Sequence, residues 1–459
     1  MRIFNTLTKK KEELTKTDVK MFVCGPTVYD NSHLGHARTY TAYDIIAKYL
    51  RYRGYDLFFL MNITDVDDKI INRAKETGKN PKDIATQFEK SFMDDMTSLR
   101  ISSIDKFARA SEHINEIISQ IRRMIEKEVA YETKTGVYFD ITKFADYGKL
   151  SHQNTEELSK HRIEPDTTKK NQQDFSLWKK RDKSELGWDS PFGFGRPGWH
   201  IEDTAIAEKY LGSQYDLHGG AIDLIFPHHE AEIAQMESMS GKKPMVKIWT
   251  HSGFLLVNGE KMSKSLGNFI TIKDALKKYN AEVLRLFFAM SHYRSQVDFH
   301  EESLVRTKNT LGTLYNAVAT LDNIEEKGGS DSEIDEAVQK IKDDFVESMD
   351  DDFNTPEAIS SLFELVDLVN KYTSENDKIG ADSKNFLRTT IFELAGLLGV
   401  LENYSKIVVS ENIKKLVNER EKARKDKDYK KSDEIRNKLE SMGIILEDTP
   451  AGVKWKRKI

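Results

Sequence analysis

Two clusters of side chains in this sequence have the types and spacing to handle phosphate. The first is His33-Leu34-Gly35-His36, two imidazoles around a glycine. Imidazoles can donate hydrogen bonds to phosphoryl oxygens without a fixed charge, and Gly35 lets the backbone approach a ligand closely. The second is Lys261-Met262-Ser263-Lys264-Ser265, two lysines among small hydroxyl residues, suited to a polyphosphate. A third cluster suits a metal or a ribose. His218-Gly219-Gly220 offers close backbone approach, Asp223 can accept hydrogen bonds from ribose hydroxyls, and His228 and Glu232 stand four apart on one helix face. Taken singly, each has an ordinary reading. H-x-G-H also describes a surface turn, and an i,i+4 His/Glu pair is commonly a surface pairing.

The elements that position these clusters follow from pattern. Met21-Phe22-Val23-Cys24 reads as a buried strand, broken at Gly25-Pro26, and from Ala37 apolar residues recur at helical spacing until Gly54. Leu57 to Ile63 is a second buried strand, so the stretch is a strand–helix–strand crossover of a parallel sheet. H-x-G-H then falls at the first helix N-terminus, where doubly wound folds hold phosphate. The polar run Thr64-Asp65-Val66-Asp67-Asp68-Lys69 follows the second strand, at the edge where ligands bind. Residues 71–130 read as charged helix and Gly136–Asp140 as a strand, together an insertion between halves of the sheet. The glycines and prolines from Gly193 to Gly198 argue against a regular element there, with a short helix from Ala205 to Leu211 after them. Ile272 to Met290 reads as helix. Four helical patterns follow near 302–325, 332–348, 355–376 and 383–403, a bundle. The tail from Asn412 reads as a charged helix and a hairpin carrying Trp455, which could stack on an unpaired base.

Composition sets limits. With 459 residues, 32% of them charged, the chain has material for about three domains. No apolar run is long enough to span a bilayer, and the N-terminus lacks the apolar core of a signal peptide. One cysteine, Cys24, excludes an intramolecular disulfide and fits a reducing cytoplasm. The net charge is −5, yet residues 411–459 hold 15 Lys/Arg against 10 Asp/Glu. A basic tail on an acidic body suggests an anionic partner for that end.

The ordered set of motifs resembles the cysteinyl-tRNA synthetases, a family of class I aminoacyl-tRNA synthetases. It comprises Cys24-Gly25-Pro26-Thr27-Val28-Tyr29-Asp30, His33–His36, Asn62-Ile63-Thr64-Asp65, Gly195–Glu202, Phe226–Glu230 and Lys261–Ser265. The resemblance implies an α/β fold: a Rossmann-type catalytic domain over 1–300 with an insertion at about 95–185, a helical bundle over 301–410, and a small basic tRNA-binding domain over 411–459. It implies activation of cysteine with ATP (as its Mg complex) to cysteinyl-adenylate, then transfer to the 3′-terminal adenosine of tRNA-Cys. His33, His36, Lys261 and Lys264 would be catalytic. Gly35, His36, Gly219, Gly220, Asp223 and Lys264 would bind ATP. Cys24, Gly25, Thr27, Thr64, Trp199 and His228 would bind cysteine. One zinc per chain would be held by Cys24, Asp203, His228 and Glu232, with Asp203 where the family usually has a second thiolate. A cytoplasmic monomer is expected. Two other classes are a ligase joining cysteine to a small amine and a non-catalytic RNA-binding paralogue.

Overall fold

The computed structural model describes residues 1–152, 166–262, 266–404, 411–441, 444–449 and 452–457. Ser263, Lys264 and Ser265 lie outside the described residues. The described residues form two compact units, Met1–Ala281 with Ser291–Phe299 and Asp350–Asn354, and Glu282–Met290 with His300–Met349 and Thr355–Ile459.

The first unit is built on five parallel strands: β1 (Asp18–Val23), β2 (Asp56–Ile63), β3 (Lys106–Arg109), β4 (Tyr215–Ala221) and β5 (Val246–Ser252), in spatial order β5-β4-β1-β2-β3. The order reverses between β1 and β4, so a crevice opens at their C-terminal ends. Cys24 and the His218–Ala221 end of β4 both reach that crevice. Helix α1 (Leu34–Tyr52) links β1 to β2 and buries Leu34, Tyr40, Tyr43, Ile46 and Leu50. α2 (Asp68–Thr77), α3 (Pro81–Ser98) and α4 (Ile114–Glu126) follow. α5 (Trp199–Leu211) and α6 (Glu230–Ser240) flank β4. One core joins the sheet and helices through Phe22, Leu60, Ile117, Ile121, Ile201, Ile206 and Ile233.

Several elements differ from the sequence expectation. Lys106–Arg109 lies in a stretch that reads as helical, yet it extends the parallel sheet beside β2. Its four residues are too few for a periodic signal. Gly195–Pro197 pairs antiparallel with Phe175–Lys180 in a four-stranded sheet with Ala130–Glu132 and Gly136–Phe139. Gly195 and Gly198 are tolerated there because a Cβ on either would collide with a neighbouring carbonyl, at 2.2 and 1.8 Å. α5 starts at Trp199, immediately after Gly198, so Glu202 and Asp203 are helical.

In the second unit Glu301–Asn323, Ser332–Asp350, Thr355–Glu375 and Ala381–Leu398 pack as helices around Leu311, Leu314, Val338, Leu362, Leu365 and Leu394. The expected single helix over 272–290 is two, Ile272–Lys278 and Ala281–Ala289, and the charged tail helix is also two, Glu411–Lys425 and Tyr429–Ser441. A hairpin of Ile444–Thr449 with Gly452–Arg457 follows, with Trp455 opposite Leu446.

Segment Asp350–Asn354 belongs to the first unit. Asp352 accepts hydrogen bonds from Phe4 N (2.8 Å), Tyr293 Oη (2.9 Å) and Arg294 Nε (2.7 Å). Arg2 and Lys11 pair with Asp351, and Arg53 with Asp350.

Candidate functional site

The crevice holds a cavity of about 330 Å³, lined by residues that meet from β1, α1, the end of β2, α2, α5 and the segments after β4 and β5. Cys24, Gly25, Thr27, His33, Gly35, His36, Thr64, Trp199, Asp203, Asp223, His228 and Lys261 all line it. The sequence, which scatters these residues over more than two hundred positions, converges on one space.

The two histidines of H-x-G-H close the N-terminus of α1 reciprocally. His33 Nδ1 accepts from Gly35 N (3.1 Å), and His36 Nδ1 accepts from His33 N (3.3 Å). This is a capping box built from imidazoles instead of a hydroxyl and a carboxylate. Because Nδ1 accepts in both, each neutral ring carries its proton on Nε2. The rings stack with centroids 3.9 Å apart. Gly35 is required by this geometry, since a Cβ would lie 2.8 Å from the His33 ring. Burial, the neighbouring His33 and the charge of Lys69 hold His36 well below the usual histidine range. His36 is therefore a neutral donor at the positive end of a helix.

The four expected metal ligands also meet. Cys24 Sγ lies 3.3 Å from Asp203 Oδ2 and 3.9 Å from Glu232 Oε1. His228 Nε2 lies 3.1 Å from Asp203 Oδ2 and 3.0 Å from Glu232 Oε1. A tetrahedral zinc with ordinary bond lengths separates its ligands by roughly 3.3–3.8 Å, close to this spacing. All four are buried, and among the described residues Glu232 Oε2 has no hydrogen-bond partner, His218 Nε2 lying 3.6 Å away. Burial and then the charges of Glu232 and Asp203 raise the Cys24 thiol well above its usual range. Burial opposes charge on His228, but Glu232 and Asp203 outweigh it and raise the imidazole to about 9. Two carboxylates, a thiol and an imidazole thus share a buried site around a proton that a cation can replace. The donor set fits zinc.

Around this set stand further partners: the sequence marks Thr64, Trp199 and His218 among them, but gives Asn62, Glu202, His229 and His251 no role. Asn62 Nδ2 donates to Asp203 Oδ1 at 2.6 Å, while Asn62 Oδ1 accepts from Gly25 N at 2.6 Å. Asn62 therefore turns Asp203 Oδ2 toward Cys24 and His228. Thr64 Oγ1 donates to Glu202 Oε1 (2.6 Å), and Trp199 stacks on His228 with centroids 4.2 Å apart. Behind Cys24, His229 Nε2 is 3.0 Å and His218 Nε2 3.4 Å from its sulfur. With Cys24 and Glu232, these two histidines make a second donor group of metal-binding spacing. His229 Nδ1 is in turn 2.8 Å from His251 Nε2, and His251 Nδ1 is 2.8 Å from Thr6 Oγ1. His218 and His251 sit on β4 and β5, so only the sheet register brings them together. The one local signal was the adjacent pair His228-His229, both buried just before α6.

Gly219 and Gly220 are not among the residues lining the cavity. A Cβ on Gly219 would lie 2.4 Å from the Tyr43 ring, and one on Gly220 would lie 2.8 Å from His229. Their lack of a side chain admits those rings, and Gly220 N donates to Tyr43 Oη at 2.8 Å. Asp223 is exposed and lines the cavity. Glu232 stands behind His228 without lining it.

Solved structures similar to this one include aminoacyl-tRNA synthetases. The chain is similar to methionyl-tRNA synthetase of Mycobacterium tuberculosis in complex with methionyl-adenylate, with TM-score 0.60 and 18% identity over 83% of this chain and 89% of that one. It is also similar to the LeuRS of Agrobacterium radiobacter in a ternary complex with tRNA and LeuAMS, with TM-score 0.62 and 11% identity over 84% of this chain and 85% of that one. Residues 10–309 match the family described as tRNA synthetases class I (C) catalytic domain, so fold and site define a class I synthetase. Residues 344–402 match the DALR domain, and 408–455 the cysteinyl-tRNA ligase anticodon binding domain. Over its whole length the chain is 48% identical to the cysteine–tRNA ligase of Thermococcus gammatolerans, covering 99% of that protein. It is 47% identical to that of Methanococcus maripaludis over 98% of each chain. The chain belongs to the cysteinyl-tRNA synthetase family.

Proposed function

We propose that the protein is a cysteine–tRNA ligase, which activates L-cysteine with ATP and esterifies the 3′-terminal adenosine of tRNA-Cys. The observation that carries this reading is the convergence of a thiol-binding donor set with a helix N-terminus capped by two neutral histidines, on one cavity. In the first half-reaction a carboxylate oxygen of cysteine attacks the α-phosphorus of ATP, and pyrophosphate leaves with the bonding electron pair. No nucleophilic side chain is needed; the protein supplies position and charge. His33 and His36 offer Nε2–H to phosphoryl oxygens, the N-terminus of α1 adds its dipole, and Lys261 and Lys264 balance the polyphosphate with its Mg. Asp223 accepts from the ribose. In the second half-reaction a ribose hydroxyl of the terminal adenosine attacks the carbonyl carbon, and AMP departs.

Cys24, Asp203, His228 and Glu232 would hold one zinc, which when bound ligates the thiolate of cysteine in preference to the hydroxyl of serine. Thr64 and Trp199 close the pocket around the amino acid, with Gly25 and Thr27 beside it. Such discrimination removes the need for an editing domain.

We assign catalysis to residues 1–300, contact with the tRNA stem to 301–410 and tRNA selection to 411–459, in a monomer acting in the cytoplasm. A ligase for small amines has no use for an anticodon-binding region, and a non-catalytic paralogue has no use for a complete phosphate site. The test is cysteine-dependent exchange of pyrophosphate into ATP, scored beside charging of tRNA-Cys transcripts. Exchange without charging would favour the small-amine ligase; absence of both would refute the reading.

A further inference from the structure

One cationic side chain in the cavity has no assigned role. Lys69 lies in the first turn of α2, where Asp67 caps the helix by accepting from Lys69 N at 2.8 Å. The cap fixes the backbone, and the side chain lines the cavity. Its Nζ stands 5.4 Å from the centroid of the Tyr29 ring and 5.9 Å from that of Trp199. The run around it is acidic: Asp67 caps Lys69's own N–H and feels its charge, while two other acids are engaged elsewhere. Asp65 accepts from the backbone N and the hydroxyl of Ser111. Asp68 takes Lys179 and Arg196. Among the described residues, Lys69 Nζ makes no hydrogen bond and no ion pair. Tyr29 and Trp199 are cation–π partners, which orient an ammonium without neutralising it.

Its neighbours place that charge. Trp199 stacks on His228, so Lys69 is one ring away from the donors that would hold the substrate thiol. On the other side its charge reaches His36, at the phosphate end. Cysteine bound by its sulfur extends its carboxylate only a few ångströms further, toward the α-phosphoryl group it attacks.

Resting on the function proposed above, we infer that Lys69 is a further catalytic residue, contacting the α-phosphoryl group where cysteine and ATP are joined. His33 and His36 are neutral donors, so Lys69 supplies a permanent positive charge at the reacting phosphorus itself. That phosphoryl group gains negative charge as the carboxylate oxygen adds. It gains charge again when the ester is made and AMP leaves with the C–O bonding pair. Lys69 moves no proton in either step. It therefore serves both half-reactions, which separates it from groups that act on departing pyrophosphate alone.

Lys69→Met keeps the apolar stem against Tyr29 and Trp199 and removes the charge, while Lys69→Arg keeps the charge. The full-length variants are compared with the parent for pyrophosphate exchange, single-turnover transfer from preformed adenylate, zinc content and thermal unfolding. The expected result is a kcat for exchange lowered about 30-fold or more in Lys69→Met. Transfer should slow in parallel, Lys69→Arg should fall between, and the KM for cysteine, the zinc content and the melting temperature should be unchanged. A kcat within threefold of the parent overturns the assignment. So does a loss confined to exchange with transfer intact, or one confined to KM for cysteine or zinc content, which would make Lys69 a pocket wall. A parent without cysteine-dependent exchange would instead overturn the function on which the assignment rests.

Discussion

Replacing Asn62 by alanine should loosen the proposed zinc site without touching any of its four donors. Asn62 is buried and links two groups, Gly25 N–H and Asp203 Oδ1, each at 2.6 Å. The first bond is between neutral groups and worth about 0.5–1.5 kcal/mol; the second, to a carboxylate, is worth about 1.5–3 kcal/mol. Alanine should therefore lower the stability of the folded chain by roughly 2–4 kcal/mol, measured by urea unfolding with metal chelated. The consequence for zinc is separate. Without the amide holding Oδ1, Asp203 rotates and Oδ2 no longer faces Cys24 and His228. Loss of such an orienting partner typically weakens metal binding about 10–100-fold. Competition against a chelator of known affinity reads this directly. Asn62→Asp should be worse on both counts, because it sets a carboxylate against Asp203, with Glu202 already bonded to Thr64 alongside. Zinc affinity within threefold of the parent in Asn62→Ala, with stability lowered as expected, would refute the view that Asp203 is a ligand oriented by Asn62.

His36→Ala removes the acceptor for His33 N–H, the reciprocal half of the capping box, and a donor to the phosphoryl oxygens, so the barrier to adenylate formation should rise by about 2–4 kcal/mol, seen as slower pyrophosphate exchange at saturating ATP and cysteine. His251 is buried, and burial lowers its imidazole from 6.5 to about 3. Its proton is then bound better by the unfolded chain, so its contribution to stability is full above about pH 6.5 and is lost as pH falls from there toward 3, at about 1.4 kcal/mol per unit. The unfolding free energy of His251→Gln from urea titration should accordingly fall about 2 kcal/mol less between pH 7 and pH 5 than that of the parent. Removal of residues 411–459, with their excess of Lys and Arg, should leave pyrophosphate exchange intact while sharply reducing tRNA charging and its salt dependence. Equal charging by the shortened protein would sink that assignment.

Much of this architecture is legible before folding, and what escapes has identifiable causes. The strand–turn–helix around His33 and His36 is local, so its apolar run, glycine and helical period announce it. What the two histidines do to each other is not, because a capping box of imidazoles leaves no Ser/Thr–Glu pattern. Asp203 can be placed in the metal set by family resemblance, but its orienting partner Asn62 lies 141 positions earlier and carries no chemistry of its own. His218, His229 and His251 gather only through the register of β4 and β5 and the turn before α6. Gly219 and Gly220 are ambiguous for a related reason. Glycine signals that something approaches the backbone closely, and no sequence says that the rings of Tyr43 and His229 do so here. Lys106–Arg109 is an edge strand too short to display a period, and only its pairing with β2 defines it.

The order of synthesis acquires significance from Asp350–Asn354. These residues complete the first unit, yet they emerge from the ribosome after 349 others, between two helices of the second. Until then the strand at Arg2–Asn5 has no carboxylate for Phe4 N–H, and Tyr293 and Arg294 lack their common acceptor in Asp352. A nascent chain interrupted between Met262 and Asp350 therefore carries every residue of the cavity but not the clasp that anchors its N-terminal edge. The catalytic unit of this protein is finished late in translation, although nearly all of its sequence is made first.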